Sequence, residues 1–165
     1  MQPLSESRPR TVLAIASQGG HWVQLRRMRA AWTGCRTTYV CTNPGYRREV
    51  VEAEPDAGFM TVPDANVTTK LRLILQALHV ALIVLRLRPD AIITTGAAPG
   101  YFAVRIGRLI GARTVWIDSI ANGQEMSLSG RKAGPYAGLW LTQWQHLAVP
   151  DAKSGRGPRF RGAII

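Results

Sequence analysis

His21 and Asp118 are the side chains of this sequence best suited to move a proton, since each follows an apolar stretch and sits among small residues. His21 ends the run Ser17-Gln18-Gly19-Gly20-His21, which directly follows Thr11-Val12-Leu13-Ala14-Ile15-Ala16. An amphipathic segment begins at Trp22 and reaches about Ala31. A buried strand that breaks at small residues and re-enters as a helix is the first crossover of a doubly wound α/β sheet. Glycine there lets the backbone come close to a ligand, and N–H groups at a helix start favour phosphate. Ser17, Gly19 and Gly20 are therefore candidate diphosphate-binding positions, with a titratable group beside them. The same residues also read as a tight βα turn with His21 merely exposed.

Two further loops face the same way. Ile92-Ile93-Thr94-Thr95 is followed by Gly96-Ala97-Ala98-Pro99-Gly100, where Pro99 suits a first helical turn. Trp116-Ile117 is followed by Asp118-Ser119-Ile120-Ala121-Asn122-Gly123, which brings a carboxylate, a hydroxyl and an amide. In a parallel sheet every such loop emerges at the carboxyl edge, where ligands bind. Gly96, Ala97, Ala98, Gly100, Ser119 and Asn122 thus join the anion-binding candidates. Ordinary turns use these residue types too, but three converging loops favour an anion-binding cleft.

The elements that must position these loops alternate along the chain. Strands are predicted at Thr11–Ala16, Thr38–Thr42, Phe59–Val62, Ala91–Thr95, Arg113–Asp118 and Leu139–Thr142, mostly as continuous apolar runs suited to a sheet covered on both faces. Helices are predicted at Trp22–Ala31, Tyr46–Ala53, Lys70–Leu87, Gly100–Ile110 and roughly Ser127–Tyr136. The expectation is a Rossmann-like, doubly wound parallel α/β sheet with right-handed crossovers. It occupies 11–149, between a disordered polar tail (1–10) and a basic, loosely held arm (150–165) that docks on a partner.

Composition narrows the partners. A chain of 165 residues makes one domain and is short for a complete two-domain enzyme. Cys35 and Cys41 follow no metal or redox spacing and read as reduced cytosolic thiols. The net charge of +11 calls for an anionic partner. Neither zinc-finger spacing nor a ribonucleoprotein aromatic signature occurs, so membrane lipid or a phosphate ligand stands ahead of nucleic acid. No signal peptide is legible, and the longest uncharged apolar stretch, Leu73 to Leu85, is 13 residues, too short to span a bilayer. The segment Lys70–Leu87 is apolar most of the way round, with Leu75, Leu78 and Leu82 inside and Lys70, Arg72 and Arg86 at its ends. It is either sandwiched in protein or lies in a bilayer interface with its basic ends on lipid phosphates.

The quoted motifs, together with Arg88-Pro89-Asp90 and Leu141-Thr142-Gln143-Trp144, resemble a family pattern in register from about Thr11 to the C-terminus. It is that of the membrane-docking subunit of the split UDP-N-acetylglucosaminyltransferase of asparagine-linked glycosylation. Bacterial exopolysaccharide relatives of the PssD type look closer still. The resemblance implies the N-terminal half of a GT-B glycosyltransferase, comparable with the first domain of MurG. Such a half holds a polyprenyl-diphosphate acceptor at the membrane, while a partner subunit binds the UDP-sugar donor. No cofactor is then expected on this chain alone, and no chelated metal, since Asp-x-Asp is absent. Eukaryotic members carry a transmembrane anchor before the first strand; here ten polar residues stand in its place, so attachment is expected to be peripheral, at the cytoplasmic face, or to be supplied by a partner. His21 becomes the candidate base, with Asp118 as the alternative or as an orienting group. A stand-alone nucleotide-binding module is the rival reading. Against it, Gly-x-Gly-x-x-Gly is missing from the first loop, and no acid closes Tyr39-Val40-Cys41-Thr42. A non-catalytic membrane adaptor is a third.

Overall fold

The computed structural model describes residues 8–65, 68–152 and 154–164; the proposed polar tail lies outside them except for its last three residues. Seven strands form one sheet: β1 (Thr11–Ala16), β2 (Arg36–Cys41), β3 (Gly58–Thr61), β4 (Ala91–Thr94), β5 (Arg113–Ile117), β6 (Leu139–Thr142) and β7 (Arg159–Phe160). Their order is β3-β2-β1-β4-β5-β6-β7, and each neighbouring pair is parallel. The chain winds outward from β1 to β3, returns to lay β4 on the free side of β1, and winds outward again. The strand order therefore reverses between β1 and β4, the switch point at which open α/β sheets bind ligands.

Among the described residues five α-helices connect the strands: α1 (Gly20–Arg27), α2 (Arg47–Ala53), α3 (Lys70–Leu87), α4 (Ala97–Leu109) and α5 (Leu128–Ala133). Alternation along β1 divides the core in two. Val12, Ala14 and Ala16 pack with Trp22 and Leu25 of α1 and Val50 of α2. Leu13 and Ile15 pack with Val80, Ile83 and Val84 of α3 and Ala103 of α4. On this second face Val104 of α4 and Ala133 of α5 meet Trp116 of β5. A Cβ at Gly107 would run into Ile92 and one at Gly100 into Thr94, so bare backbone at both positions lets α4 lie close against β4.

The structure departs from the sequence reading at several element boundaries and at the C-terminal segment. Helix α1 begins at Gly20 and yields after Arg27 to a 3-10 turn over Arg29–Trp32. Helix α4 begins at Ala97, three residues before the expected start, with Pro99 in its first turn, where its missing N–H breaks no bond. The C-terminal segment is more than a loose arm: Arg159 and Phe160 pair with Leu141 and Thr142 as a seventh strand. Two residues are too few to leave a period-2 signature in sequence.

Helix α3 shows a divided surface. Gln76, Val80, Ile83 and Val84 are buried, and Gln76 donates from Nε2 to Pro63 O at 2.7 Å. Leu71, Ile74, Leu75, Leu78, Leu82 and Leu85 are all exposed, Leu78 at 55% and Leu82 at 67%. Lys70, Arg72 and Arg86 are exposed as well. Among the described residues no helix is long and apolar enough to cross a membrane.

Candidate functional site

The loops after β1 and β4 lie side by side at the switch point, and His21 stitches them together. Its Nδ1 is 2.8 Å from Thr95 O, and Thr95 Oγ1 donates to His21 O at 2.6 Å. A carbonyl oxygen only accepts, so Nδ1 is the donor of this bond, and in the neutral form of the ring the lone pair falls on Nε2. The imidazole packs over Gly96: a Cβ there would stand 2.9 Å from His21 Cε1 and 3.0 Å from Nδ1. Gly96 also has φ 126, which an L side chain rarely adopts. Ala97 follows at φ 64, a left-handed conformation that stores roughly 1–3 kcal/mol of strain in a non-glycine residue.

Helices α1 and α4 both start at this edge, and the first-turn N–H groups of a helix have no partner within it. Gly20, His21 and Trp22 of α1 and Ala97 and Ala98 of α4 supply such groups just after the adjacent strands β1 and β4. Two N–H groups of the first loop are already taken: Gln18 N donates to Thr42 Oγ1 at 3.0 Å and Gly19 N to Tyr46 Oη at 3.3 Å. Tyr46 in turn stacks on Trp22, with centroids 5.1 Å apart and planes 5° from parallel. The next N–H groups along this loop are those of the first turn of α1, from Gly20. Ser17 is half-buried, while Gly19 and Gly20 are exposed, so this rim is an open surface.

The third loop is built differently from the sequence expectation of three polar groups offered to the rim. Asp118 is 2% exposed, and its carboxylate accepts from Trp116 Nε1 (3.2 Å), Asn122 Nδ2 (3.2 Å), Ser127 N (2.9 Å) and Ser127 Oγ (2.5 Å). Four donors fill its acceptor sites, so it fixes the loop and the start of α5 and has no lone pair turned to a substrate. Ser119 is also buried, its Oγ accepting from Gln24 Nε2 and Ala121 N, both at 3.3 Å. Asn122 lends its amide to Asp118.

Behind the loops lies a buried amide network. Gln143 Nε2 donates to Gln24 Oε1 (3.0 Å) and Asp118 O (2.9 Å), and Ile164 N donates to Gln143 Oε1 (2.8 Å). Helix α1, the third loop, the end of β6 and the C-terminal segment meet at this one side chain. Trp144 Nε1 adds a bond to Ile120 O at 2.8 Å. Gln143 falls in the Leu141-Thr142-Gln143-Trp144 motif without a role assigned to it, and for Gln24 and Ser127 polarity beside apolar residues is the one clue in the sequence. Among the described residues no group of three His, Cys, Asp or Glu side chains is placed to hold a metal ion.

No protein-family model matches the chain, and no curated protein matches it. Solved structures do. MurG from Acinetobacter baumannii superposes with a TM-score of 0.67 at 13% identity, over 94% of this chain and 46% of that one. A glycosyltransferase from Rickettsia africae gives 0.57 at 11% identity, over 84% and 37%. A UDP-GlcNAc 2-epimerase from Methanocaldococcus jannaschii gives 0.61 at 9%, over 80% and 39%. The chain thus spans less than half the length of each. At these identities the likeness shows the fold: a Rossmann-like α/β domain of the kind that makes up about half of MurG.

Proposed function

We propose that this chain is the acceptor-binding half of a two-component, UDP-sugar-dependent glycosyltransferase. It would hold a polyprenyl-diphosphate-linked acceptor at the membrane and be completed by a subunit that binds the donor. The observation that carries this reading is His21, hydrogen-bonded across the switch point between two helix N-termini on a rim open to solvent. In this scheme the N–H groups of Gly20, Ala97 and Ala98 receive the acceptor diphosphate. Nε2 of His21 takes the proton of the acceptor hydroxyl as its oxygen bonds to the anomeric carbon. The bond from that carbon to the UDP oxygen breaks on the partner's side. The charge gained by the imidazole is stabilised through Nδ1–H on the Thr95 carbonyl. Asp118, saturated by its own loop, is left a positioning role.

The apolar outer face of α3 and its exposed basic ends support membrane contact through Leu75, Leu78 and Leu82, with Lys70, Arg72 and Arg86 on lipid phosphates. The C-terminal segment, bonded to Gln143 behind the site, is the proposed docking element for the partner. Titration of the purified chain with a UDP-sugar and with a short-chain polyprenyl diphosphate tests the assignment. Binding of the diphosphate lipid without the nucleotide sugar is expected, together with sugar transfer only once a donor-binding subunit is added. Tight binding of the UDP-sugar alone marks a stand-alone nucleotide module. Binding of vesicles but of neither ligand marks a membrane adaptor.

A further inference from the structure

The opposite, amino edge of the sheet holds a feature that the transferase reading does not use. A cavity of about 870 Å³ opens there between β1, β4 and β5, with Val12, Trp32 and Ile93 in its apolar lining. Its charged lining is Arg10, Arg88, Arg113 and Asp90. Arg10 precedes β1, Arg88 lies just before β4, and Arg113 opens β5, three strands that neighbour one another. The oxygens of Asp90 are bonded to other groups. It already accepts from Thr11 N at 2.7 Å and Thr11 Oγ1 at 2.8 Å, and it pairs with Arg8 at 3.2 Å. None of the three arginines forms an ion pair among the described residues.

Arg88 is there under strain. It closes α3 at φ 42 and ψ 59, with its N–H on Val84 O. Glycine is the usual residue at a left-handed helix end, because a Cβ is unfavourable there. Arg88 and Ala97 are the two non-glycine residues with positive φ among those described, one at each edge of the sheet. An arginine kept at such a position, in the lining of a partly apolar cavity that two further arginines also line, suits a phosphate, which arginine binds through paired N–H donors.

We propose that this cavity is a second anion site, for an amphiphilic phosphate. Its head lies on Arg10, Arg88 and Arg113, and its apolar body lies against Trp32, Val12 and Ile93. The inference stands apart from the transferase reading, whose residues lie at the other edge. A lipid headgroup and a free organic phosphate share this chemistry, and three probes separate them: inorganic phosphate, phenyl phosphate, and dihexanoyl phosphatidic acid below its micelle concentration. Calorimetric titration of the full chain is expected to give binding of an organic phosphate at least tenfold tighter than that of inorganic phosphate. Tighter phenyl phosphate identifies a soluble ligand, tighter phosphatidic acid a lipid. The double variant Arg10→Gln/Arg113→Gln should weaken that binding at least tenfold, and Gly20→Val, at the far edge, should leave it unchanged. Arg88→Gly gives an independent check: the free protein should melt at the same or a higher temperature, because strain is relieved, while binding weakens. Undiminished binding in the arginine variants overturns the proposal, as does loss of binding in Gly20→Val or equal affinity for all three probes.

Discussion

At the residue scale, His21 is defined by its bond to Thr95 O, which makes Nδ1 the donor and turns Nε2 away from that bond. If that nitrogen is the acceptor base, His21→Ala should lower turnover of the reconstituted complex by about two to four orders of magnitude, with partner affinity nearly kept. A residue that merely donates to the diphosphate predicts the opposite split, with a raised acceptor KM and near-normal turnover at saturation. Steady-state kinetics with the partner saturating decide between the two. The neighbouring glycines separate geometry from space. Gly96→Ala places a methyl against the imidazole at a left-handed φ, so it should destabilise the fold by about 1–3 kcal/mol. It should also break the Nδ1 bond, which imidazole nitrogen shifts would report. Gly20→Ala meets nothing within 4 Å, and its melting curve should match that of the wild type.

At the element scale, α3 is the sharpest test of how the molecule meets its surroundings. Its inner residues Val80 and Val84 are fully buried, whereas Leu78 and Leu82 stand in solvent. Leu78→Glu/Leu82→Glu should therefore change stability by no more than about 0.5 kcal/mol per site, the usual range for surface positions. The same double variant should lose most of its binding to vesicles containing anionic lipid. Sedimentation with those vesicles, beside a denaturation curve, checks both halves; full binding by a folded variant removes α3 from the membrane role. Added salt should release the wild-type protein only in part, since screening weakens the basic contribution while the apolar face persists.

At the scale of the whole molecule, the two edges of the sheet are held by different means. The carboxyl edge rests on the amides of Gln24 and Gln143, whereas the amino edge is joined by Asp90, which ties β4 to Thr11 and Arg8. The Thr11 backbone N–H, then the Thr11 hydroxyl, and the charge of Arg8 hold the Asp90 carboxyl below its ordinary value of 3.8. A carboxylate whose pKa is depressed by folding stabilises the fold above its ordinary pKa. That contribution is lost as pH falls through the folded value. Asp90→Asn should thus melt below the wild type at pH 7, and the gap should close as the pH is taken below about 3.8. A gap of constant size across that range would show that Asp90 acts through shape and not through charge. The solved structures the chain resembles are more than twice as long as it is.

The fold class was legible in the sequence because it rests on local signals. Apolar runs of strand length alternate with helical periods, and the two small-residue breaks at Gly19-Gly20 and Gly96-Ala97 mark the loops that meet at the switch point. Lys70–Leu87 was legible to the residue as a helix, since one long period outweighs its surroundings. Its role was not, because periodicity cannot say which side of an almost wholly apolar helix another element will cover. Nor could sequence assign Asp118: whether a carboxylate at a loop is free or saturated depends on Trp116, Asn122 and Ser127 folding back onto it. The tautomer of His21 hangs on a backbone carbonyl 74 residues away, and a carbonyl leaves no trace in residue type. The chain's local chemistry set its elements, while long-range hydrogen bonds, visible only in three dimensions, decided which of its polar groups are left to act.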